Sequence, residues 1–417
     1  MGVRKAAPKG LFQAYGQELE YMLVNAESLD VAPVADEVLR LEAGALVNEL
    51  EKGSMAWSNE LALHVIEIKN SGPVASLPGL IDKFQEQVAA IRAVAASLGA
   101  TLLPTAMHPW MDPHRETRLW PHGNREIYSA YDRIFSCQGH GWSNLQSTHL
   151  NLGFATDEEF GRLHAAIRLL LPLMPALAAS SPVAEGQGTG LLDTRLEYYR
   201  HNQRRIPSLA ARVIPEPVFT EAEYERVIYQ QISADIAPLD PEGVLEAVWL
   251  NSRGAIARFD RNAIEIRVLD IQECPLADVA IAVLLSAVLK GLVGERWSSW
   301  PEQKKAQVGP LAELFEKTIA SGEETVLADG DYLRFFGLNG RERLTAGELW
   351  QELAAACRAD LVEAGPAVVG AAEAILSHGP LARRILKAAG PAPVRERLRE
   401  VYRELARCLA QGRLFLS

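Results

Sequence analysis

The sequence predicts an α+β fold with a helical C-terminal region. Short segments in which apolar and polar residues alternate predict strands, whereas apolar residues spaced three or four positions apart predict amphipathic helices. From Trp297 onward the pattern is helical almost throughout, as in 346–364 and 394–408. No linker and no fixed repeat divides the chain, so we expect one main unit over residues 1–295 with the helices of residues 296–417 packed on it.

The main unit alternates predicted strands, helices and two long loops. In chain order we expect a strand over 11–25, a strand over 61–70, a helix over 77–98 ended by Gly99, a strand over 101–104, a loop over 105–145, a strand over 146–153, a helix over 157–179, a loop over 180–220, two helical stretches, a strand over 263–271 and a helix over 276–293. The loop over 105–145 is rich in Pro, His, Trp, Gly and Arg, and we expect it to be ordered, functional and too polar for the core.

Composition limits the classes of partner. The 417 residues are 48% hydrophobic and 23% charged, and 42 basic against 53 acidic residues give a net charge of −11. This balance argues against a general binder of nucleic acid or of membrane surfaces. The apolar run over 279–289 is shorter than the roughly 20 residues of a membrane span. We therefore interpret it as a buried helix.

The cysteines and the N-terminus predict a cytoplasmic protein. The four cysteines are widely scattered and form no CxxC pair, which is typical of a reducing compartment. The basic N-terminal residues are not followed by the apolar stretch of a signal peptide. We expect buried cysteines without disulfides.

Acidic residues share strand faces with a histidine and an arginine. Because side chains alternate between the faces of a strand, the same-face pairs are Glu18 with Glu20, His149 with Asn151 and Glu265 with Arg267. Glu60 and Glu67 differ in parity, so Glu60 is expected in the turn before the strand that carries Glu67. Several carboxylates on one sheet face repel one another unless cations lie between them. Hard divalent cations such as magnesium prefer such oxygen ligands.

Arginines add a second signal. Four of them crowd residues 195–205, and Arg258 and Arg267 follow near the last strand. Guanidinium groups bind phosphate and carboxylate through two parallel hydrogen bonds, so this pattern favours a site that binds phosphate. The chain contains no P-loop, Rossmann, HExxH or GxSxG motif.

Each residue taken alone has a plainer interpretation. The acids of residues 18–20 could line the solvated face of an edge strand, and Glu60 could be an ordinary surface residue. His149 could be a hydrogen-bonded core histidine, and Glu265 and Arg267 could form a structural ion pair. The arginines of residues 195–205 could belong to a solvated basic loop. The conjunction of these residues favours a site with several metal ions.

With these motifs in place, the chain resembles the glutamate–cysteine ligase-like carboxylate–amine ligases, which share the glutamine synthetase catalytic fold. The resemblance covers roughly residues 11–295. It rests on the GxExE-like Gly16-Gln17-Glu18-Leu19-Glu20, on Glu60 seven residues before Glu67, on Gln146-Ser147-Thr148-His149-Leu150-Asn151, on Ser180-Ser181-Pro182 before the arginine run, and on Ile264-Glu265-Ile266-Arg267-Val268-Leu269-Asp270.

The resemblance implies a fold and the ligands of two metal ions. It implies an antiparallel sheet curved into an open funnel, with helices on its outer face, and a catalytic domain over residues 1–295. One metal would be held by Glu20, Glu60 and Glu67, and a second by Glu18, His149 and Glu265. Arg258 and Arg267 would bind the nucleotide, and Arg195 and Arg267 would act in catalysis on the phosphoryl group or the acid substrate.

The same resemblance implies an ATP-dependent reaction with Mg²⁺, or Mn²⁺ in its place. A carboxylate, typically the γ-carboxylate of glutamate, becomes an acyl phosphate, and an amine such as cysteine displaces the phosphate to give an amide. Phosphoryl transfer needs positioning and charge neutralisation more than a protein nucleophile, which suits these residues. The partners expected are small amino acids and amines, and the C-terminal helices would also suit a homo-oligomer.

Two alternatives stay open at this stage. One is a phosphotransferase of the same fold that acts on guanidino or amine groups. The other is a catalytically silent sensor. The strand Ser147-Thr148-His149-Leu150-Asn151 lacks the second histidine of many relatives, and the loop over 105–145 is particular to this chain. Both departures leave cysteine as acceptor an open question.

Overall fold

A computed structural model describes residues 9–390 and 394–416. Residues 1–8, the basis of the expectation about a signal peptide and the start of the predicted main unit, lie outside the described residues. The strands are β1 Tyr15–Asn25, β2 Glu49–Lys52, β3 Met55–Asn59, β4 Val65–Asn70, β5 Ala100–Leu103, β6 Ser147–Gly153, β7 Val183–Ala184, β8 Gln187–Gly188, β9 Ala255–Arg258, β10 Ala263–Asp270, β11 Val326–Leu327 and β12 Leu344–Thr345.

Helices occupy most of the remaining chain. They are α1 Ala35–Ala43, α2 Ile81–Ala96, α3 Pro113–Glu116, α4 Arg125–Phe135, α5 His140–Ser143, α6 Asp157–Leu170, α7 Pro175–Ala178, α8 Thr194–Tyr199, α9 Glu221–Tyr224, α10 Gln230–Ile236, α11 Ala247–Leu250, α12 Pro275–Val293, α13 Trp300–Gln303, α14 Val308–Ser321, α15 Gly330–Arg334, α16 Ala346–Ala356, α17 Arg358–Glu363, α18 Pro366–His378, α19 Leu381–Ala389 and α20 Arg395–Gln411.

The centre of the fold is an antiparallel sheet of eight strands. Its order is β2-β3-β4-β1-β6-β10-β9, and β5 pairs with the far end of β1. The long strand β1 therefore lies in the middle, with β4 on one side and β6 on the other. The predicted α+β class and the antiparallel sheet are confirmed. The funnel stays a prediction.

One face of the sheet is apolar and covered by helices. Leu19, Leu150, Ile264 and Ile266 are fully buried on this face and belong to the main core cluster. The helix α12 packs against α6 and α2 and, further along the chain, against α18. The alternation predicted for β1, β6 and β10 therefore leaves their polar residues on the opposite face.

Several elements differ from the sequence prediction in extent. The first strand begins at Tyr15, since Phe12 has a positive φ of 58° in the turn before it. The helix expected over 157–179 breaks after Leu170 into a 3₁₀ turn and α7. Pro172 and Pro175 cause this break, because proline lacks the amide hydrogen that continues a helix. The hairpin of β2 and β3, which turns at Gly53 with a φ of 68°, and the strand β9 were not predicted.

The expectation that residues 105–145 form an irregular loop outside the core is wrong. The segment contains α3, α4 and α5, and residues 105–111 are buried. The Asn144 side chain accepts from the backbone N–H of His108 (2.6 Å) and donates to its carbonyl (3.1 Å). The His108 ring meets the carbonyl of Leu29 at 2.8 Å. Because these bonds satisfy the polar groups, a polar segment can be buried here. The loop expected over 180–220 likewise contains β7, β8 and α8.

The apolar helix α12 is a core helix. By length and composition it could cross a membrane, but 83% of its most apolar 18-residue window is buried inside the fold. The C-terminal helices share this interior, because Phe315 and Trp350 belong to the same core cluster as Leu150. The four cysteines are free and buried, as expected. The division at residue 295 stays a prediction.

Replacing Leu150 of β6 by alanine should destabilise the protein, because its side chain is fully buried on the apolar face of the sheet. Loss of a buried leucine costs about 2–5 kcal/mol in the free energy of unfolding. The matched control is Leu41→Ala on α1, where the side chain is 43% exposed and the change should stay within about 0.5 kcal/mol. Urea unfolding of both variants checks this, and equal midpoints would contradict the core described here.

Candidate active site

The polar face of the sheet brings the predicted acids together through cross-strand pairing. Glu18 of β1 lies directly opposite His149 of β6, and Glu20 of β1 lies opposite Glu67 of β4. Directly opposite residues point to the same face of a sheet. Glu265 of β10 extends the row, since it lies opposite Asn151 of β6.

Glu20, Glu60 and Glu67 form the first acidic group. A carboxylate oxygen from each lies within 4.8 Å of the others, so the three could hold one metal ion. The Glu20 carboxylate accepts from the backbone N–H (2.7 Å) and the hydroxyl (3.0 Å) of Ser147. Glu67 accepts from Ser58 Oγ at 2.7 Å. Glu60 enters from the connection between β3 and β4, as its parity predicted.

The second group contains Glu18, Glu67 and His149, again with ligand atoms within 4.8 Å of one another. His149 Nδ1 donates to Glu18 Oε2 at 3.1 Å and lies 3.8 Å from Glu265 Oε1. Glu67 is therefore common to both groups. Glu265, expected as a ligand here, adjoins His149 but also pairs with Arg267 at 3.1 Å and with Arg258 at 3.5 Å.

Burial and mutual repulsion raise the pKa values of two acids of this cluster, whereas a hydrogen bond lowers the pKa of a third. Burial, with the charge of Glu20, raises the pKa of Glu60 well above its ordinary value. Burial and the charge of Glu18 raise the pKa of Glu67 to about 7. Although burial opposes it, the hydrogen bond from His149 lowers the pKa of Glu18 to about 2. The same bond overcomes burial and raises the pKa of His149 to about 9.

These residues fit divalent metal ions. The carboxylates of Glu20, Glu60 and Glu67, with oxygens within 4.8 Å of one another, offer oxygen ligands, and burial together with the repulsion between neighbouring acids raises the pKa values of Glu60 and Glu67. Magnesium and manganese prefer such oxygen donors, and an imidazole in the second group is also a common ligand. Which ion each group would hold stays a prediction.

Arg267 shares this face with Glu265, as strand alternation predicts, and a β-bulge after it brings Asp270, opposite Ser147, to the same face. The register between β10 and β6 shifts between Ile266 and Leu269, so that Arg267 and Val268 together face the single residue His149. Such bulges re-aim side chains next to functional sites. Arg267 lies at the acidic cluster, where the carboxylate of Glu265 balances its charge.

Arg195 reaches the same site by way of Asp270. The carboxylate of Asp270 accepts from Arg195 Nε, from the Ser180 backbone N–H at 2.7 Å and from Ser181 Oγ at 2.8 Å. The Ser180-Ser181-Pro182 motif thus positions Asp270, and Asp270 in turn positions Arg195. Although burial acts to lower the pKa of Arg195, the charge of Asp270 raises it, so this buried guanidinium stays charged.

The other arginines of the 195–205 run lie elsewhere. Arg200 pairs with Glu316 at 2.7 Å, and Arg205 donates to the carbonyl of Ile134 at 2.7 Å. Arg258 pairs with Glu265 on the far side of the acidic cluster. Of this run, Arg195 is the arginine that the structure brings to the acids.

Two cavities meet at the acidic cluster. An inner chamber of about 240 Å³ is lined by Glu20, Arg195 and the aromatic side chains Tyr128, Tyr131, Trp142, Tyr199 and Trp249. A second chamber of about 790 Å³, here called the sheet-edge chamber, is lined by Glu18, Glu67, Lys69, Arg258 and Glu265. Glu60, His149 and Arg267 line both chambers and form the partition between them.

Sequence reasoning missed several residues of this site. Ser147, Ser58 and Lys69 support the acids, and the aromatic walls come from three separate segments. Parity could have found Lys69, which lies two residues after Glu67 on the same strand face. Nothing in the sequence placed Tyr128, Tyr131 and Trp142, because they lie in the segment interpreted as an irregular loop.

Binding of Mg²⁺ should release protons at pH 7. Glu67, with a pKa of about 7, and His149, with a pKa of about 9, are partly or fully protonated before a cation enters. Since ligands must be deprotonated, affinity should rise as pH increases through 7, by about tenfold per pH unit for each proton released. Calorimetric titration in buffers of different ionisation enthalpy measures this release. Affinity that is independent of pH, with no proton release, would contradict the proposed ligands.

Known proteins resemble this chain in sequence. The model of Glutamate-cysteine ligase family 2 matches residues 14–404. An Archaeoglobus fulgidus protein described as uncharacterized is 37% identical over 312 residues, which cover 74% of this chain and 80% of that protein. A Corynebacterium glutamicum strain R protein with the name "Putative glutamate–cysteine ligase 2" is 27% identical over 188 residues, which cover 44% of this chain and 46% of the relative.

Solved structures share the fold. The glutamate–cysteine ligase of Francisella tularensis in complex with AMP superposes with a TM-score of 0.59 at 14% identity, over 97% of this chain and 90% of that one. A bifunctional glutathione synthetase of Pasteurella multocida gives a TM-score of 0.55 at 13% identity, over 96% of this chain and 52% of that one. The fold is thus that of glutamate–cysteine ligases, and the match of the family model across residues 14–404 shows that the chain belongs to Glutamate-cysteine ligase family 2.

Proposed function

We propose that the protein is an ATP-dependent carboxylate–amine ligase that activates the γ-carboxylate of glutamate as an acyl phosphate and joins it to an amine. The observation that carries this proposal is the partition of Glu60, His149 and Arg267, which borders two chambers at once. A reaction between a nucleotide and a small acid needs two binding spaces that meet at one charged point. We place the reaction in the cytoplasm, where ATP is available.

The inner chamber suits the acid substrate. Its volume of about 240 Å³ is below the roughly 300–1,000 Å³ of pockets for drug-sized ligands, so it suits a single amino acid. Arg195 and Arg267 present guanidinium groups that bind carboxylate or phosphate oxygens. The aromatic walls restrict water, which would protect an acyl phosphate from hydrolysis.

The sheet-edge chamber suits the nucleotide. Its volume of about 790 Å³ is within the range of large ligands. Lys69, Arg258 and Arg267 line it and provide positive charge for phosphates, and Lys69 also pairs with Glu67 at 3.0 Å. The AMP bound to the Francisella tularensis ligase supports a nucleotide here, since that protein has the same fold.

Metal ions held by Glu20, Glu60 and Glu67, and by Glu18, His149 and Glu67 or Glu265, would supply charge neutralisation for the phosphates. The side chains of the protein have their own parts. Arg267 lies between the chambers and would bind the phosphoryl group during its transfer. Arg195, held by Asp270, would orient the acid so that a carboxylate oxygen faces the γ-phosphorus. The amine then displaces phosphate from the acyl carbon.

The proposal predicts ADP release that depends on both an amino acid and an amine. Glu20→Gln should lower kcat/KM by more than about 100-fold. Loss of a group that only hydrogen-bonds to a metal ligand already lowers metal affinity or activity about 10–100-fold, and loss of a ligand should cost more. Glu67→Gln should behave in the same way. The matched control is Glu51→Gln on β2, an exposed acid outside the chambers, and it should keep full activity.

The identity of the product distinguishes the proposal from its alternatives. Mass spectrometry should find an amide. A phosphorylated guanidine or amine would instead identify a phosphotransferase. A silent sensor would bind nucleotide without any amino-acid-dependent ADP release, and Glu20→Gln would then leave cellular function intact.

A further inference from the structure

A third cavity continues the inner chamber outward. This outer chamber has a volume of about 990 Å³, about four times that of the inner chamber. Gly141, Trp142 and Asn202 line both, so the two spaces meet at these residues. An acceptor that attacks an acyl group in the inner chamber can approach by this route.

The junction between the two chambers is fixed by close packing. The Asn202 side chain donates to the carbonyl of Gly141, and a Cβ on Gly141 would collide with Asn202. Trp142 stacks on Phe135 with ring centroids 5.4 Å apart. The buried indole Nε1 of Trp142 has no hydrogen-bond partner among the described residues, which leaves a donor for a ligand at the junction.

The outer chamber is large and has aromatic walls. Trp110, Phe135, Trp142 and Tyr198 line it, and its volume is at the upper end of the roughly 300–1,000 Å³ of pockets for drug-sized ligands. Aromatic side chains bind flat rings through offset or edge-to-face contacts. A compound as small as cysteine would fill a minor part of this space.

Among the described residues, one of the two arginines that line the chamber has no ionic partner. Glu185 pairs with His140 at 3.4 Å, and Arg395 pairs with Asp30 at 2.8 Å. Asp112 caps the short helix α3 by accepting from the His114 backbone N–H at 3.1 Å, and His201 lies 3.4 Å from Glu197. Arg204 lines the chamber and has no carboxylate partner among the residues described. The exposed guanidinium of Arg204 can therefore bind the carboxylate of a ligand through two parallel hydrogen bonds.

We propose that the outer chamber binds the amine acceptor and that this acceptor is an aromatic amino acid, with its ring on the aromatic walls and its carboxylate on Arg204. The inference rests on the proposed function and names its second substrate. The amine nitrogen forms a bond to the carbonyl carbon of the acyl phosphate. The bond from that carbon to the phosphate oxygen breaks, inorganic phosphate leaves with the electron pair, and the proton that the amine gives up passes to the leaving phosphate.

The test uses the full chain with glutamate, Mg²⁺ and ATP and compares four acceptors. Hydroxylamine is small enough to trap an acyl phosphate without the outer chamber, so hydroxamate reports the activation step alone. Tryptamine has the ring of L-tryptophan without its carboxylate, and L-cysteine has the carboxylate without the ring. Comparison of the three therefore tests the two contacts separately. We expect kcat/KM to be at least about tenfold higher for tryptophan than for cysteine, with tryptamine between them.

Variants of the chamber make the test specific. Arg204→Ala should raise the KM for tryptophan about tenfold and leave the values for tryptamine and hydroxylamine unchanged. Arg204→Lys should recover part of the loss. Tyr198→Ala should raise the KM for both ring-bearing acceptors. Arg226→Ala, an exposed arginine that lines none of the three chambers, is the matched control and should change nothing.

The outcomes separate this inference from the function on which it rests. Hydroxamate formation together with a tryptophan rate no higher than that of cysteine, or with an Arg204→Ala variant that binds tryptophan normally, would overturn the acceptor and leave the ligase intact. Absence of hydroxamate with glutamate would overturn the proposed reaction and this inference with it. Normal hydroxamate formation by each variant shows that it is folded.

Discussion

Repulsion among the buried carboxylates is the constraint on which the rest of the site depends. Two like charges 4 Å apart repel by about 4 kcal/mol at the effective dielectric of a protein surface. The sheet reduces this repulsion by placing a polar partner on a neighbouring strand beside Glu18, Glu20 and Glu67. His149 lies opposite Glu18, Ser58 lies opposite Glu67, and Ser147 donates to Glu20 from β6. The strand order β4-β1-β6-β10 therefore determines which polar or charged side chain lies beside each of these acids.

The sequence alone could predict which acids share a face, because strand periodicity is a local property. It could also place Glu60 before its strand, by parity with Glu67. It could not predict the order of strands, since β1, β6 and β10 are more than one hundred residues apart along the chain. The bulge that brings Asp270 opposite Ser147 depends on that pairing and has no local signal.

The failures have a common physical cause. The segment over 105–145 looks too polar for a core, yet distant groups such as the carbonyl of Leu29 satisfy its buried polar atoms. Composition cannot show a hydrogen bond between residues that are far apart in sequence. The hairpin of β2 and β3 was missed because its strands are short and one of them is largely exposed. Its partner strand β4, with apolar residues in a row, was recognised.

The shared wall of Glu60, His149 and Arg267 has an evolutionary consequence. Any change in it alters two cavities together, so a mutation that improves the fit of one ligand is also tested against the other. Trp110, Phe135 and Tyr198, in contrast, line the outer chamber and neither of the other two, so they are free of that double selection. Descendants of such a protein can therefore change the outer space by loop replacement while the residues at the sheet are inherited unchanged.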